Sequence, residues 1–330
     1  MNRFLSRLSL FLWATVLALP PAWAEDRIQV LSPPDMASVK SKRINLICRI
    51  RKNSFDTVKV MIDNDDAFRP QLEPVVRYNI RHQSLLLAEG KNRIRIQGLR
   101  AGETAEEKVF TVFLGSVLSE QFNTPPPSFA EYTFHTSKKE KICSPCHEEE
   151  LRRGAQSQQV ENQPACYTCH KRIVDAKFVH GPASVWACAT CHKDHTGTTK
   201  NNVPDPEALV CRMCHPDEMA AWQSEEFGHG PTMVGKCALC HNPHAADENF
   251  FLVKEVNDLC GSCHEDKLTK PHVLVGYSGR GHPVKRDSTP DGKPAISCIS
   301  CHNPHAANNV NLLVQFKGSR LGFCSNCHKF

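Results

Sequence analysis

The polarity pattern divides the chain into two unlike parts. From about residue 25 to 115, short apolar–polar alternations follow one another: Ile28 and Val30; Ile44, Leu46, Cys48 and Ile50; Val58, Val60 and Ile62; Val76, Tyr78 and Ile80; Ile94 and Ile96; then the run from Val109 to Leu114. Successive side chains of a strand point to opposite faces. Period-two patterning, broken by Pro, Gly, Asn and Asp, therefore predicts half-buried antiparallel strands. Six or seven such strands in about 90 residues predict a small all-β sandwich. Cys48 is in phase with the inward positions and is expected as a buried core thiol. His82, near a loop, is expected at the surface. Residues 116–134 contain Pro125-Pro126-Pro127, which can continue neither helix nor ladder and predict a stiff extended linker.

Beyond His135 the alternation stops and a different repetition takes over. Cys-x-x-Cys-His occurs eight times, at 143–147, 166–170, 188–192, 211–215, 237–241, 260–264, 298–302 and 324–328. First cysteines pair as 143/166, 188/211, 237/260 and 298/324, with intervals of 23, 23, 23 and 26 residues. Four copies of a two-motif unit fill residues 135–330. His135, His180 and His229 each stand eight residues before their unit's first cysteine, and His282-Pro opens a longer lead-in to the last unit, padded by the polar loop 286–294. His195, His244 and His305 each follow a unit's first motif histidine by three residues; the first unit has Glu150 there instead.

CxxCH is the c-type haem attachment signature. Two thiols on one short turn can form thioethers to a single haem, and the next histidine ligates its iron. Sixteen of the 17 cysteines are in these pairs. They are Cys143, Cys146, Cys166, Cys169, Cys188, Cys191, Cys211, Cys214, Cys237, Cys240, Cys260, Cys263, Cys298, Cys301, Cys324 and Cys327. A disulfide framework gives no reason for the following histidine, and zinc ribbons do not need one at that position. The expected cofactors are eight covalently bound haem c, with proximal ligands His147, His170, His192, His215, His241, His264, His302 and His328.

The same region holds eight further histidines: His135, His180, His195, His229, His244, His272, His282 and His305. Eight free imidazoles for eight haems predict bis-histidine ligation throughout. Only Met213, Met219 and Met233 could provide a methionine ligand here. His241 and His244 cannot bind opposite faces of one iron, because three residues of chain cannot wrap a porphyrin. His244, and likewise His195 and His305, must therefore serve neighbouring haems. About 24 residues per haem is too little chain for separate apolar cores, so the haems themselves must form much of the core. Short helices at the motifs, much loop and almost no sheet are expected, with folding coupled to haem binding.

Residues 1–24 are read as a secretory signal peptide: Arg3 and Arg7, an apolar run from Leu8 to Leu19, then Ala22-Trp23-Ala24. No other stretch approaches membrane-spanning length, so no transmembrane segment is expected after cleavage. The formal charge of +5 includes two leader arginines. Removing them, and adding two propionates and one ferric porphyrin charge per haem, brings the oxidised holoprotein to about −5, a field that affects partner encounter. No aromatic-interleaved basic patch is present, so nucleic acid is not an expected partner.

The phrase from Leu87 to Ile96, with its Gly90/Asn92 turn, and the closing Val109-Phe-Thr-Val-Phe resemble bacterial Ig-like domains. Units of the form His-Gly-Pro…CxxCH-x-x-His…CxxCH resemble the doubled-CXXCH multihaem c-type cytochromes of metal-reducing and related bacteria. That likeness covers residues 135–330 and is best at 180–264 and 298–328. It implies electron transfer in the periplasm or at the outer membrane of a Gram-negative bacterium, with redox proteins as partners, other cytochromes and an outer-membrane porin among them. The alternative is an octahaem oxidoreductase acting on a small nitrogen or sulfur compound, which needs one haem with an open face. All eight motifs end in histidine, so the electron-transfer reading is the expected one and no catalytic residue is expected.

Overall fold

In a computed structural model, residues 26–62, 65–69, 73–74, 79–119, 121–141, 165–192, 200–272, 282–285 and 295–329 are described. The leader, the first CxxCH motif at 143–147, His195 and the loop 286–294 lie outside them.

The N-terminal part is built of strands. In chain order they are β1 (Ile28–Ser32), β2 (Ala37–Val39), β3 (Arg43–Ile50), β4 (Thr57–Ile62), β5 (Asp65–Arg69), β6 (Glu73–Pro74), β7 (Ile80–Leu86), β8 (Gly90–Arg100), β9 (Glu103–Leu114) and β10 (Ala130–Glu131). They form a four-stranded sheet, β1-β3-β7-β6, and a six-stranded one, β10-β2-β9-β8-β4-β5. The sequence alternation is what both sheets bury. Ile28, Leu46, Cys48, Val60, Leu85, Ile94, Ile96 and Val112 meet in one apolar cluster drawn from both sheets, each at most 2% exposed. Burying side chains of this size stabilises by about 1.5–3 kcal/mol apiece. Cys48 is fully buried, as expected; His82, expected at the surface, is also buried on β7, with a paired strand on each side.

Two turns account for much of the register. Strands β8 and β9 meet at Ala101-Gly102, both with positive φ (51° and 84°), the twist a two-residue hairpin requires. Asn92 is completely buried. Its amide accepts from Ala88 N at 2.9 Å and donates to Ala88 O at 2.8 Å and Gly90 O at 3.0 Å, so the turn's polar atoms are satisfied by a side chain.

Residues 116–134, expected as a linker, return to the sheet. Strand β10 pairs in parallel with β2. Phe129 is buried and its ring centroid is 5.5 Å from that of Phe113. Tyr132 packs on the core and donates to Ser32 Oγ at 3.0 Å. The proline run thus lies within a strap held at both ends. A further tie runs from this part to the third repeat, where Lys254 Nζ lies 3.6 Å from Glu89 Oε1.

The C-terminal part has short helices, loops and two small ladders. Strand β11 (Phe178–Val179) pairs with β13 (Ala245–Ala246), and β12 (Phe227–Gly228) pairs with β14 (Ala306–Ala307). Each ladder joins the lead-in of one unit to the segment just past the first motif of the next. Among the described residues here the buried apolar side chains are few: Trp186, Val210, Leu259 and four alanines. Twelve large hydrophobic side chains from Val185 to Leu321 are exposed, apolar surface of the kind that marks a binding site. Among the described residues no helix is long and apolar enough to cross a membrane.

Candidate haem sites

Each described attachment motif closes as one helical turn. The histidine N–H donates to the first cysteine's carbonyl, at 2.9 Å in 188–192, 260–264, 298–302 and 324–328 and at 3.0 Å in 211–215 and 237–241. That bond spans four residues, so the two sulfurs and the imidazole leave one turn together, the arrangement that thioether attachment and iron ligation need at once.

The Asn-Pro-His segments after two of these turns redirect the chain. His244 N donates to Asn242 Oδ1 and His305 N to Asn303 Oδ1, both at 3.0 Å, local Asx turns that aim each histidine away from its own motif. The loops beyond fold back over the motif histidine. Asn242 N reaches Phe251 O and Asn303 N reaches Leu312 O, both at 2.7 Å. This brings carbonyls to the motif imidazoles: His192 Nδ1 lies 2.7 Å from Asn201 O, His241 Nδ1 2.7 Å from Phe250 O, and His302 Nδ1 2.8 Å from Asn311 O. Asn201 and Phe250 hold these carbonyls in place with φ near +60°. For Phe250 that conformation is costly, as is common where backbone serves a site. With Nδ1 engaged, Nε2 is the nitrogen left for a metal.

Seven motif histidines each face one of the free histidines. Ring centroids are 6.0 Å apart for His170 and His135, 6.0 Å for His192 and His244, 6.3 Å for His215 and His180, and 6.1 Å for His241 and His305. They are 6.3 Å apart for His264 and His229, 5.8 Å for His302 and His272, and 6.1 Å for His328 and His282. Ordinary aromatic pairs range over about 4.5–7 Å. Here the distance hardly varies, although the interplanar angle runs from 9° to 80°. Constant separation at variable angle is what one atom held between two ring nitrogens produces: a metal–imidazole bond of about 2 Å on each side sets the centres roughly 6 Å apart. The residues therefore fit a haem iron.

A simple rule runs through the pairs. His180 and His229 face the second motif histidine of their own units, whereas His244 and His305 face the first motif histidine of the unit before. The two free histidines that face one unit's motif histidines, one from that unit and one from the next, are held together at one junction ladder. His180 N donates to His244 O at 2.9 Å beside β11/β13, and His229 N to His305 O at 2.8 Å beside β12/β14. His180 Nδ1 is 2.9 Å from Pro243 O, and His229 has the matching bond to Pro304. Burial pushes His170, His244 and His305 down to about 4, so their imidazoles are neutral at physiological pH, the ligating form.

The attachment cysteines also form a series. Cys166 lies beside Cys188, Cys211 beside Cys237, and Cys260 beside Cys298, each joining the second motif of one unit to the first of the next. Within units, Cys191 lies near Cys211, Cys263 near Cys240, and Cys327 near Cys301. Adjacent motifs in sequence are thus neighbours in space from 166 through 327. Sequence reasoning missed Asn257, which is 1% exposed and clasps the last junction. It donates to Val284 O at 3.1 Å and accepts from Cys298 N at 3.0 Å.

No curated protein matches this chain. Among solved structures, an endo-beta-1,4-mannanase from Thermotoga petrophila is 18% identical over 28% of this chain and 20% of its own, with a TM-score of 0.25. An engineered protein is 14% identical over 27% of this chain and 20% of its own, with a TM-score of 0.23. The chain spans about a fifth of the length of either structure, and likenesses this loose carry no argument. Residues 180–220, 229–269 and 291–330 match the doubled CXXCH motif family, and the first two segments begin at His180 and His229, the histidines that open the second and third units. With their paired attachment turns and facing imidazoles, these three repeats support a multihaem c-type cytochrome carrying covalently bound haem c.

Proposed function

We propose that this chain is an exported electron conduit in which eight c-type haems, each held between two histidines, form one line in sequence order. The observation that carries this reading is the set of seven facing imidazole pairs, strung together by cysteines of consecutive motifs. Haem c, when bound, supplies a one-electron couple at each such site. The protein's own residues do the rest. The cysteine pairs would hold each haem by thioethers, neighbouring motifs would bring successive haems together, and the facing histidines would ligate each iron and keep substrate from it.

The pairing rule extends to the eighth site. The first motif histidine of the second unit is faced by His244 of the third, and that of the third by His305 of the fourth. By the same rule we infer His195 of the second unit as the partner of His147 of the first, both outside the described residues. They are also the pair left over when the other fourteen are matched. The first unit has Glu150 where others have a histidine, consistent with there being no earlier unit to serve. For the first motif histidine of the fourth unit, His302, His272 takes the corresponding role.

The strand orders β1-β3-β7-β6 and β2-β9-β8-β4-β5 follow the two-sheet pattern of immunoglobulin-type sandwiches, which supports an Ig-like reading of the N-terminal domain. We assign it a docking role toward a redox partner at the cell surface or in the periplasm, on the basis of the leader and the extended line of haem sites. The intact mass of the mature protein tests haem number and leader cleavage together; eight haems on a chain beginning at Glu25 are expected. A ferric EPR spectrum free of high-spin signal supports the conduit. A high-spin centre that turns over a small nitrogen or sulfur compound would instead establish the oxidoreductase.

A further inference from the structure

One of the seven imidazole pairs has a buried carboxylate behind it. His135 Nδ1 is bonded to a carboxylate, Glu140 Oε1, at 3.0 Å. The corresponding partners of His180, His192, His241, His282 and His302 are neutral backbone carbonyls. His215 has Glu218 at 3.6 Å, but both side chains are about half exposed, so water and salt screen that contact. Glu140 is 3% exposed. Its position follows from the local sequence: Thr136 caps the helix Ser137–Glu140 by accepting from Lys139 N, and this single turn swings Glu140 back under the ring of His135.

A buried carboxylate needs compensation, and Lys200 supplies it. Its Nζ lies 2.7 Å from Glu140 Oε2, and its backbone N donates to His135 O at 2.9 Å. Along these contacts the order is His135, Glu140, Lys200, so the negative charge is the one in direct contact with the ring. Resting on the haem reading above, we propose that Glu140 is a positioning residue for His135 that lowers the reduction potential of the haem attached at Cys166 and Cys169. The Nδ1 proton shared with a carboxylate makes the imidazole a stronger donor to iron, and a nearby negative charge in a poorly solvated site opposes the electron added on reduction. Both favour the ferric state.

The test is potentiometric titration of the full haem-loaded protein, followed by EPR, for Glu140→Gln. The amide oxygen can still accept from Nδ1, so the ring stays in place while the charge is lost. One haem should rise in potential and the others should hold. His135→Ala identifies it, because the signal that moves in Glu140→Gln should be the one that turns high-spin. Should the single variant lose a haem, Glu140→Gln/Lys200→Gln, which removes both charges of the pair, should show the same upward shift. Unchanged or lowered potentials in a fully loaded variant would overturn the proposal. An intact mass without haem in the wild-type protein would overturn the haem reading itself, a separate result.

Discussion

His192 and His244 lie in different repeats, yet their ring centroids are 6.0 Å apart and their planes 9° from parallel. His244 follows one attachment motif but faces the histidine of another. Units are thereby tied together: the segments downstream of the 237–241 and 298–302 motifs each reach back to the first motif histidine of the unit before, and a two-residue ladder holds them there.

That tie predicts the effect of His244→Ala. Its own unit's haem, at Cys237 and Cys240, should remain six-coordinate while the one at Cys188 and Cys191 opens, so one high-spin ferric signal is expected by EPR. In a Cys188→Ser/Cys191→Ser background the same substitution should add none. A signal that persists there would assign His244 to a different iron.

Trp222 stacks on His305 with centroids 4.1 Å apart and planes 11° from parallel. A side chain so close fixes the angle of the ring without touching its ligating nitrogen. Trp222→Ala should therefore shift the g-values of one low-spin haem, leave haem content intact and be reversed by Trp222→Phe. A spectrum identical to wild type would remove Trp222 from any such role.

Asn257 satisfies a donor and an acceptor across the third junction. Replacing it with leucine of similar size leaves Cys298 N and Val284 O without their partner, and buried unsatisfied polar groups cost about 1–3 kcal/mol each. Denaturant unfolding of the holoprotein should show a loss of that order. A change below about 0.5 kcal/mol, the range of ordinary surface substitutions, would mean that water replaces the clasp.

Burial pushes the Cys48 thiol from 9.0 up to about 12. An unfolded chain ionises this thiol first, so its contribution makes stability fall as pH climbs from about 9 toward 12 and is without pH dependence below that window. The same burial predicts its reactivity. Native holoprotein should resist iodoacetamide at pH 8, and the urea-unfolded protein should take up one adduct, the other sixteen sulfurs being thioethers. Two or more adducts would show incomplete haem attachment.

Gly90 has φ of +86°, and a Cβ there would stand 2.7 Å from the Phe122 ring. Gly90→Ala should combine left-handed strain with displacement of the strap 116–134, costing roughly 1–3 kcal/mol. Limited proteolysis should then cut within the strap well before the sheets, whereas protection equal to wild type would mean that Phe122 moves aside freely.

The chemistry of this protein was legible in its sequence because attachment is local. Two sulfurs and one imidazole must leave a single turn, so Cys-x-x-Cys-His is written contiguously wherever a haem is bound. The strands were legible for a similar reason: alternation in Ile44 to Ile50 mirrors a two-residue period of the backbone itself. The partner of each distal histidine was not. An iron's two axial ligands approach from opposite faces, three residues of chain cannot span a porphyrin, and no local rule says which fold-back brings a histidine to the far side. That choice belongs to contacts between units, the ladders β11/β13 and β12/β14 and the Asx turns at Asn242 and Asn303. Glu140 was hidden in the same way. In sequence it is one charge in a lysine-rich run; only the turn capped by Thr136, and Lys200 arriving from beyond three motifs, make it a buried carboxylate behind His135. Sequence determined where the CxxCH turns and the free histidines fall; tertiary structure decided which imidazoles face one another and which of them has a carboxylate at its back, because those depend on groups that meet only when distant segments pack.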